Sequence, residues 1–269
     1  MMERRLTEDR RNPELEGSAN ALAAAMENGA IRLHYQPQFS LDGTIVGAEA
    51  LARWQGSPQG AANDAGQNMA GEALFALAEA NGQVQALGDH LRIMAFTAAA
   101  RWPDDLKLSF NATAQDLARE DFVASLTGLL EETQCDPARL TLEITEQEVM
   151  RDLDNPAARL KRIRALGIGV ALDDFGAGFC NFGYLKKLPV NCLKLDRSMI
   201  AGVGEDTRDL EILRAIIAMA RALNLAVVAE GIESEDQRDL VIAEGCTAWQ
   251  GFFGAGALSE DELLALVAR

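Results

Sequence analysis

Short runs of aliphatic and β-branched residues recur along the chain, and longer segments with helical periodicity separate them. Segments 121–133 and 209–224 carry apolar residues three and four positions apart, which is typical of amphipathic helices. The short runs predict eight strands, at 31–36, 45–51, 107–111, 140–145, 169–173, 192–196, 226–230 and 248–253. The alternation of strands with helices indicates parallel βαβ units and hence an α/β protein.

Eight strands in a chain of 269 residues fit a TIM barrel, which has eight parallel strands and about 250 residues. Only the short segment PQFSLDGT separates the first two strands, and its Asp42 and Gly43 form a hairpin signal. A hairpin makes its two strands antiparallel. The sequence therefore predicts an α/β fold of the modified TIM (β/α)8 barrel type, with an antiparallel first strand.

Polar residues occur near the carboxyl ends of these strands, on the face opposite a continuous apolar one. In the strand 140–145, Leu142 and Ile144 share one face and Glu143 lies on the other. The same alternation gives six inward-facing polar residues: Glu49, Asn111, Glu143, Asp173, Lys194 and Glu230. Any one of them alone could equally cap a helix or lie on the surface. Their repetition predicts a shared site at the end of the barrel where such enzymes place their chemistry.

The acidic character of this predicted site indicates bound metal. Carboxylates so close together would repel one another and protonate unless cations neutralised them. Oxygen ligands suit hard divalent cations such as Mg²⁺ and Mn²⁺. The whole chain has a net charge of −16, which disfavours a nucleic-acid polymer as a partner and requires cations at any phosphate site.

The cysteines, the histidines and the lengths of the apolar stretches exclude several further classes of protein. Four cysteines without C-x-x-C spacing and two histidines argue against structural zinc and fit free thiols in a cytoplasmic protein. No stretch approaches the roughly 18 apolar residues that cross a bilayer, so no membrane contact is expected from this segment. The charged start lacks the apolar core of a signal peptide. We interpret residues 1–14 as a leader or linker and 15–269 as one domain.

Two short motifs resemble those of other protein classes, but the sequence lacks the accompanying motifs that those classes require. Asp174, Phe175 and Gly176 match the magnesium-binding triplet of protein kinases, but the chain has neither a kinase Gly-rich loop nor a His-Arg-Asp loop. The segment GFFGAG (251–256) lacks the Lys-Ser/Thr of a phosphate-binding P-loop.

Taken in order, the motifs resemble those of the EAL domain, the cyclic di-GMP phosphodiesterase family. The resemblance covers the chain from about residue 15 to its end. It rests on LHYQPQ, EALARW, NAT, LEITE, ALDDFGAGF, YLKKLPVNCLKLDRSMI, AEGIESEDQ and GCTAWQGFF, in the family's order and spacing.

The resemblance implies a barrel that hydrolyses cyclic di-GMP to linear 5′-pGpG with two Mg²⁺ or Mn²⁺ ions, and that Ca²⁺ inhibits. It also implies a homodimer and, in a longer chain, sensory or GGDEF domains. The metal ligands it assigns are Glu49, Asn111, Glu143, Asp173, Asp174, Glu230 and Gln250, with Asp173 shared by both ions. The other roles it assigns are general base to Lys194 or Glu230, substrate contact to Gln36, Leu51 and Arg53, and loop anchor to Glu146.

The sequence departs from the family pattern where the substrate rim and the catalytic loop are expected. Gly71 and Ala76 replace prolines, and Cys180 and Asn181 replace serines. None of these changes removes a predicted metal ligand. The main alternative is a catalytically weak or inactive EAL domain that acts as a cyclic di-GMP receptor or scaffold. An enolase-type metal-dependent barrel is a weaker alternative, because it would not require this motif order.

Overall fold

The computed structural model describes residues 13–56, 68–146, 154–178, 183–203 and 207–269. Its strands are β1 Ile31–Phe39, β2 Ile45–Trp54, β3 Met69–Ala70, β4 Lys107–Asn111, β5 Leu140–Thr145, β6 Gly169–Phe175, β7 Cys192–Leu195, β8 Ala226–Ala229 and β9 Ala248–Trp249. Its α-helices are α1 Pro13–Glu27, α2 Gly71–Ala80, α3 Val84–Ala99, α4 Ala114–Ala118, α5 Phe122–Thr133, α6 Asp154–Ala165, α7 Ser198–Ala201, α8 Thr207–Ala222, α9 Glu235–Glu244 and α10 Glu260–Val267.

The described residues divide into two compact units, one of residues 13–32 and 52–90 and one of residues 33–51 and 91–269. In the first unit, the end of β2 pairs antiparallel with β3, and α1 contacts α2. The hydroxyl of Ser18 donates a hydrogen bond of 3.0 Å to the Asn81 side chain. The predicted departures at Gly71 and Ala76 lie in α2.

The second unit is built on a closed ring of eight strands. Parallel pairing runs from β2 through β4, β5, β6, β7 and β8 to β9, and β1 closes the ring by pairing with both β9 and β2. β1 runs antiparallel to β9, with Phe39 opposite Trp249. The predicted barrel with an antiparallel first strand is therefore confirmed.

The apolar alternate residues of the strands form the core between the barrel and its helices. Leu142, Leu172 and Leu193 are completely buried. Phe110 of β4 packs edge-on against Phe96 of α3, with ring centroids 5.1 Å apart. The outward-facing side chains thus form the hydrophobic core with the helices. The inward positions at the strand ends can therefore carry polar groups.

Two element ends follow clear local sequence signals, and one predicted strand end does not. Ser259 and Glu262 form a capping box at the start of α10, and Gly167 adopts a φ of +101° after α6. The prediction of a strand over 248–253 was wrong beyond residue 249. The chain turns there because Gly251 packs directly against the backbone of Ile232, where an added Cβ would lie 2.2 Å from the backbone nitrogen. No described helix has the length and apolar character required to cross a bilayer.

A buried ion pair anchors α4 to α3 in the second unit. Arg92 Nη2 lies 2.8 Å from Asp116 Oδ1, and both side chains are 2% exposed. Asp116 also accepts a hydrogen bond from the backbone N–H of Thr113, which completes the capping box of α4. The Arg92 guanidinium lies over the ring of Phe122, 5.0 Å from its centroid.

We predict that Asp116→Ala lowers the free energy of unfolding by about 3–5 kcal/mol, because it removes a buried carboxylate that pairs with the buried Arg92 and completes the capping box of α4. Urea denaturation measures this change. The matched control is Asp121→Ala, which removes an exposed partner of Arg119 and should cost less than about 1 kcal/mol. Equal costs for the two variants would contradict the structural role assigned to the buried pair.

Candidate metal centre

The carboxyl ends of the barrel strands bring the inward polar residues together around one ammonium group. Lys194 Nζ lies within hydrogen-bonding distance of four carboxylates, and Lys194 itself is only 1% exposed. The distances are 3.0 Å to Glu49 Oε2, 2.8 Å to Glu143 Oε2, 3.1 Å to Asp173 Oδ1 and 2.8 Å to Glu230 Oε1. These residues come from four strands and one strand end, as the alternation in the sequence predicted.

Side-chain amides complete the polar network. Gln250 Nε2 donates to Glu49 Oε2 at 2.9 Å and to Glu230 Oε1 at 2.7 Å. Asn111 Nδ2 donates to Glu49 Oε1 at 3.1 Å. Gln38 Nε2 donates to Gln250 Oε1 at 3.1 Å. Hydrogen bonds or ion pairs therefore link the side chains of all the predicted metal ligands except Asp174, whose backbone N–H donates to Asp173 Oδ1 at 3.0 Å.

A bulge in β6 brings Asp174 toward the same group. Leu172 pairs with Leu193 and Phe175 pairs with Leu195, so Asp173 and Asp174 together lie opposite the single residue Lys194. Asp174 has a φ of +53°, which is uncommon for a residue other than glycine. In a regular strand adjacent residues point to opposite faces, whereas here both carboxylates reach the site.

The acids form two overlapping groups that could hold metal ions. One group is Glu49, Glu143 and Asp173, and the other is Asp173, Asp174 and Glu230. Within each group, one ligand atom from each residue lies within 4.8 Å of the others. Asp173 belongs to both groups. The donors are carboxylate oxygens, which are the ligands that Mg²⁺ and Mn²⁺ prefer, so the residues present fit a centre of two hard cations.

Burial and like charges oppose ionisation of several of these acids. Burial raises the pKa of Glu143 well above its usual value, despite the nearby Lys194 ammonium, and the charges of Glu49 and Asp173 add to the effect. Burial likewise raises the pKa of Glu230 to about 8. The pKa of Asp174 is raised by burial and then by Asp173. A bound cation would oppose each of these shifts and favour the charged form of the carboxyl.

Two other groups remain charged in the same surroundings. Burial opposes ionisation of Glu49, but the Lys194 ammonium and the hydrogen bond from Gln250 hold its pKa below the usual value. Burial also opposes the charged form of Lys194, yet its four carboxylate neighbours raise its pKa well above normal. The site therefore contains a fixed ammonium and at least one fixed carboxylate.

The residues predicted to contact substrate lie on the first two strands. Gln36 is on β1 and Leu51 is on β2, both half-buried. Arg53 belongs to the first compact unit, where its Nη1 donates to the carbonyl of Ala52. Glu146 is buried directly after β5, and its role as a loop anchor stays a prediction. Cys180 and Asn181 lie outside the described residues.

Sequence reasoning missed Gln38, although a usable signal was present. Gln38 lies two residues after Gln36 in the strand LHYQPQF, so both side chains fall on the same face. The predicted strand ended at residue 36, whereas β1 continues to Phe39.

A protein-family model described as the EAL domain matches residues 19–257. The chain belongs to the EAL domain family. It is 36% identical over 92% of its length to the bifunctional diguanylate cyclase/cyclic di-GMP phosphodiesterase MucR of Pseudomonas aeruginosa, and the match covers 36% of MucR. It is 35% identical over 86% of its length to the cyclic di-GMP phosphodiesterase NbdA of the same organism, over 29% of NbdA.

A solved structure described as the PaMucR phosphodiesterase in complex with c-di-GMP has the same fold. The TM-score is 0.84 at 34% identity, and the match covers 92% of this chain and all of that one. The EAL chain spans about a third of the length of these curated relatives.

We predict that the affinity of the EAL chain for Mn²⁺ rises with pH up to about pH 8, the pKa of Glu230 in the metal-free protein. Below that pH the carboxyl carries a proton that the metal must displace, so affinity falls about tenfold per pH unit for each displaced proton. Titration calorimetry in buffers of different ionisation enthalpy counts the protons released. The Glu230→Gln variant should release fewer protons on binding Mn²⁺. A Mn²⁺ affinity that does not change with pH would contradict the prediction that the metal displaces a proton from Glu230.

We also predict that Lys194→Met destabilises the protein in the presence of a chelator by about 3–5 kcal/mol, because four carboxylates lose a shared buried cation. Excess Mn²⁺ should reverse most of this loss, since the ion supplies positive charge at the same place. Urea unfolding with chelator and with Mn²⁺ measures both effects. Lys107→Met, at an exposed position of β4, is the control and should change neither curve.

Proposed function

We propose that the EAL chain hydrolyses one phosphodiester bond of cyclic di-GMP to give linear 5′-pGpG, and that the reaction requires two Mg²⁺ or Mn²⁺ ions. The observation that carries this proposal is the pair of overlapping acid groups that share Asp173. Its support from similarity is the family match and the relatives whose names describe cyclic di-GMP phosphodiesterases.

The proposed ligands divide between the two ions in the way that the acid groups suggest. Glu49, Asn111, Glu143 and Asp173 would hold the first ion, and Asp173, Asp174 and Glu230 the second, with Gln250 beside it through water-mediated contact. When bound, two such ions would lower the pKa of the attacking water and stabilise charge on the attacking and leaving oxygens.

The chain's own groups would control the proton of the attacking water. Lys194 touches four carboxylates and therefore stays an ammonium, which suits it to orient the water by donating a hydrogen bond. A donor held in this way is a poor proton acceptor. We therefore propose Glu230, whose carboxylate lies 2.8 Å from Lys194, as the group that accepts the proton.

The negative net charge of the protein would repel an anionic substrate. The chain carries a net charge of −16, and the ligand is a dianion, so bound cations would supply most of the attraction. Gln36, Leu51 and Arg53 are the proposed substrate contacts, with the Arg53 guanidinium facing a phosphate. Ca²⁺ would occupy the same oxygen ligands without supporting turnover.

A receptor or scaffold without catalysis is less well supported, because the described site retains every acid that the proposed metals need. A homodimer and additional sensory or GGDEF domains stay predictions of the family resemblance, and a cytoplasmic location stays a prediction from the cysteine content.

We predict that the protein converts cyclic di-GMP to pGpG in the presence of Mg²⁺ or Mn²⁺, and that Glu49→Ala lowers the rate by at least about 100-fold. The substitution removes a carboxylate that contacts Lys194, Asn111 and Gln250. Chromatography of the products at fixed protein and substrate concentration measures the rate. A chelator should abolish product formation in the parent protein.

Glu131→Ala is the matched control for this experiment, because Glu131 is an exposed acid on α5. It should keep the parental rate. Binding of cyclic di-GMP without any product, even at high protein concentration and with either metal, would contradict the hydrolase and favour the receptor.

A further inference from the structure

We propose that Gln38 is a positioning residue that fixes the orientation of the Gln250 side-chain amide at the metal centre. Gln38 touches neither Lys194 nor the acids in any described hydrogen bond; its Nε2 donates to Gln250 Oε1 at 3.1 Å. Gln250 Nε2 then donates to two carboxylates, Glu49 and Glu230. The three bonds form a relay that begins on β1 and ends on both sides of the proposed two-ion site.

The direction of this relay follows from the chemistry of its members. A carboxylate can only accept hydrogen bonds, and Gln250 Nε2 lies 2.9 Å from Glu49 Oε2 and 2.7 Å from Glu230 Oε1. Gln250 must therefore turn its NH₂ group toward Glu49 and Glu230, which leaves its carbonyl oxygen facing β1. A buried carbonyl oxygen needs a donor, and Gln38 supplies it.

The barrel fixes Gln38 in this place through its neighbours on both sides. Phe39 pairs antiparallel with Trp249, and this register puts Gln38 level with Gln250. On the other side, Gly47 of β2 leaves room for the Gln38 amide, since a Cβ at that glycine would lie 3.0 Å from Gln38 Oε1. The Gln250 backbone is held as well, by hydrogen bonds to Ala229 and Ile232 of 2.9 and 3.1 Å.

This relay gives Gln250 a role distinct from direct metal ligation. Its oxygen, the only atom of its amide that could ligate a cation, accepts a hydrogen bond from Gln38, while its Nε2 faces Glu49 and Glu230. Gln250 instead holds Glu49 and Glu230 by its N–H groups, so that one carboxylate of each proposed ion stays in place. This inference rests on the proposed function for its catalytic readout, whereas its metal-binding readout is independent of the reaction.

A double-mutant cycle with Gln38→Met and Gln250→Met tests the relay. Each single variant should weaken Mn²⁺ binding or lower kcat by about 10–100-fold, as is typical when a group that orients metal ligands is lost. If Gln38 acts only through Gln250, Gln38→Met should have little further effect in the Gln250→Met background. Calorimetry with Mn²⁺ alone gives the dissociation constants, and kcat and KM are measured separately.

Two further variants separate positioning from packing. Gln38→Glu is nearly isosteric but lacks the N–H donors, so it should lose Mn²⁺ affinity or kcat even though it fills the same space. Gln38→Lys restores a donor, and its kcat at saturating Mn²⁺ should lie within about threefold of the parent, because the bond to the Gln250 oxygen is kept. Gln85→Met, an exposed glutamine on α3, controls for the substitution itself.

Additive effects in the cycle would overturn the relay, as would a Gln38→Glu variant with parental Mn²⁺ affinity and kcat. These outcomes differ from failure of the proposed function. That failure would appear as absence of pGpG from the parent protein, and the Mn²⁺ dissociation constants of the cycle would still decide whether Gln38 acts through Gln250.

Discussion

Lys194 places one ammonium in contact with four carboxylates at a position almost closed to solvent, and the arrangement of the site follows from that concentration of charge. A buried ion is costly unless it is paired and hydrogen-bonded. With Asp174 included, five acids surround this one lysine. The Lys194 ammonium alone therefore cannot balance the negative charge of the group. Burial first, and then the neighbouring like charges, raise the pKa of Glu143 and of Glu230, and carboxylates are the ligands that hard divalent ions prefer.

The backbone has to hold these acids in place against their mutual repulsion, and it does so with features that are local departures from a regular barrel. Because of the bulge at Asp173 and Asp174, the side chains of these two consecutive acids point toward the same site. β9 ends at Trp249, and Gly251 then packs closely against the backbone of Ile232, so Gln250 lies between the strand end and this contact. Because closed parallel strands surround the site, each carboxylate is attached to a rigid element, which favours defined metal geometry.

Much of this site was predictable from the sequence, because the alternation of strand residues is a local property. Period two placed Glu143 and Lys194 on the inward face without any knowledge of their partners. It could not place Asp174, which regular alternation puts on the opposite face from Asp173; that residue entered only through the family resemblance. It could place Gln38 on the same face as Gln36, but it could not reveal the hydrogen bond to Gln250, 212 positions away, on which the proposed role of Gln38 depends.

The antiparallel direction of β1 explains why the first strand contributes two glutamines at different depths. In the parallel strands, later residues lie closer to the catalytic rim, whereas in β1 earlier residues do, because Phe39 is opposite Trp249 and the strand runs the other way. Gln38 is thus level with Gln250, and Gln36 lies one inward position nearer the rim. A strand in this direction can support the metal ligands with one side chain and meet a substrate with the next. A parallel first strand would reverse that order, so the hairpin at Asp42 and Gly43 is part of what builds the site.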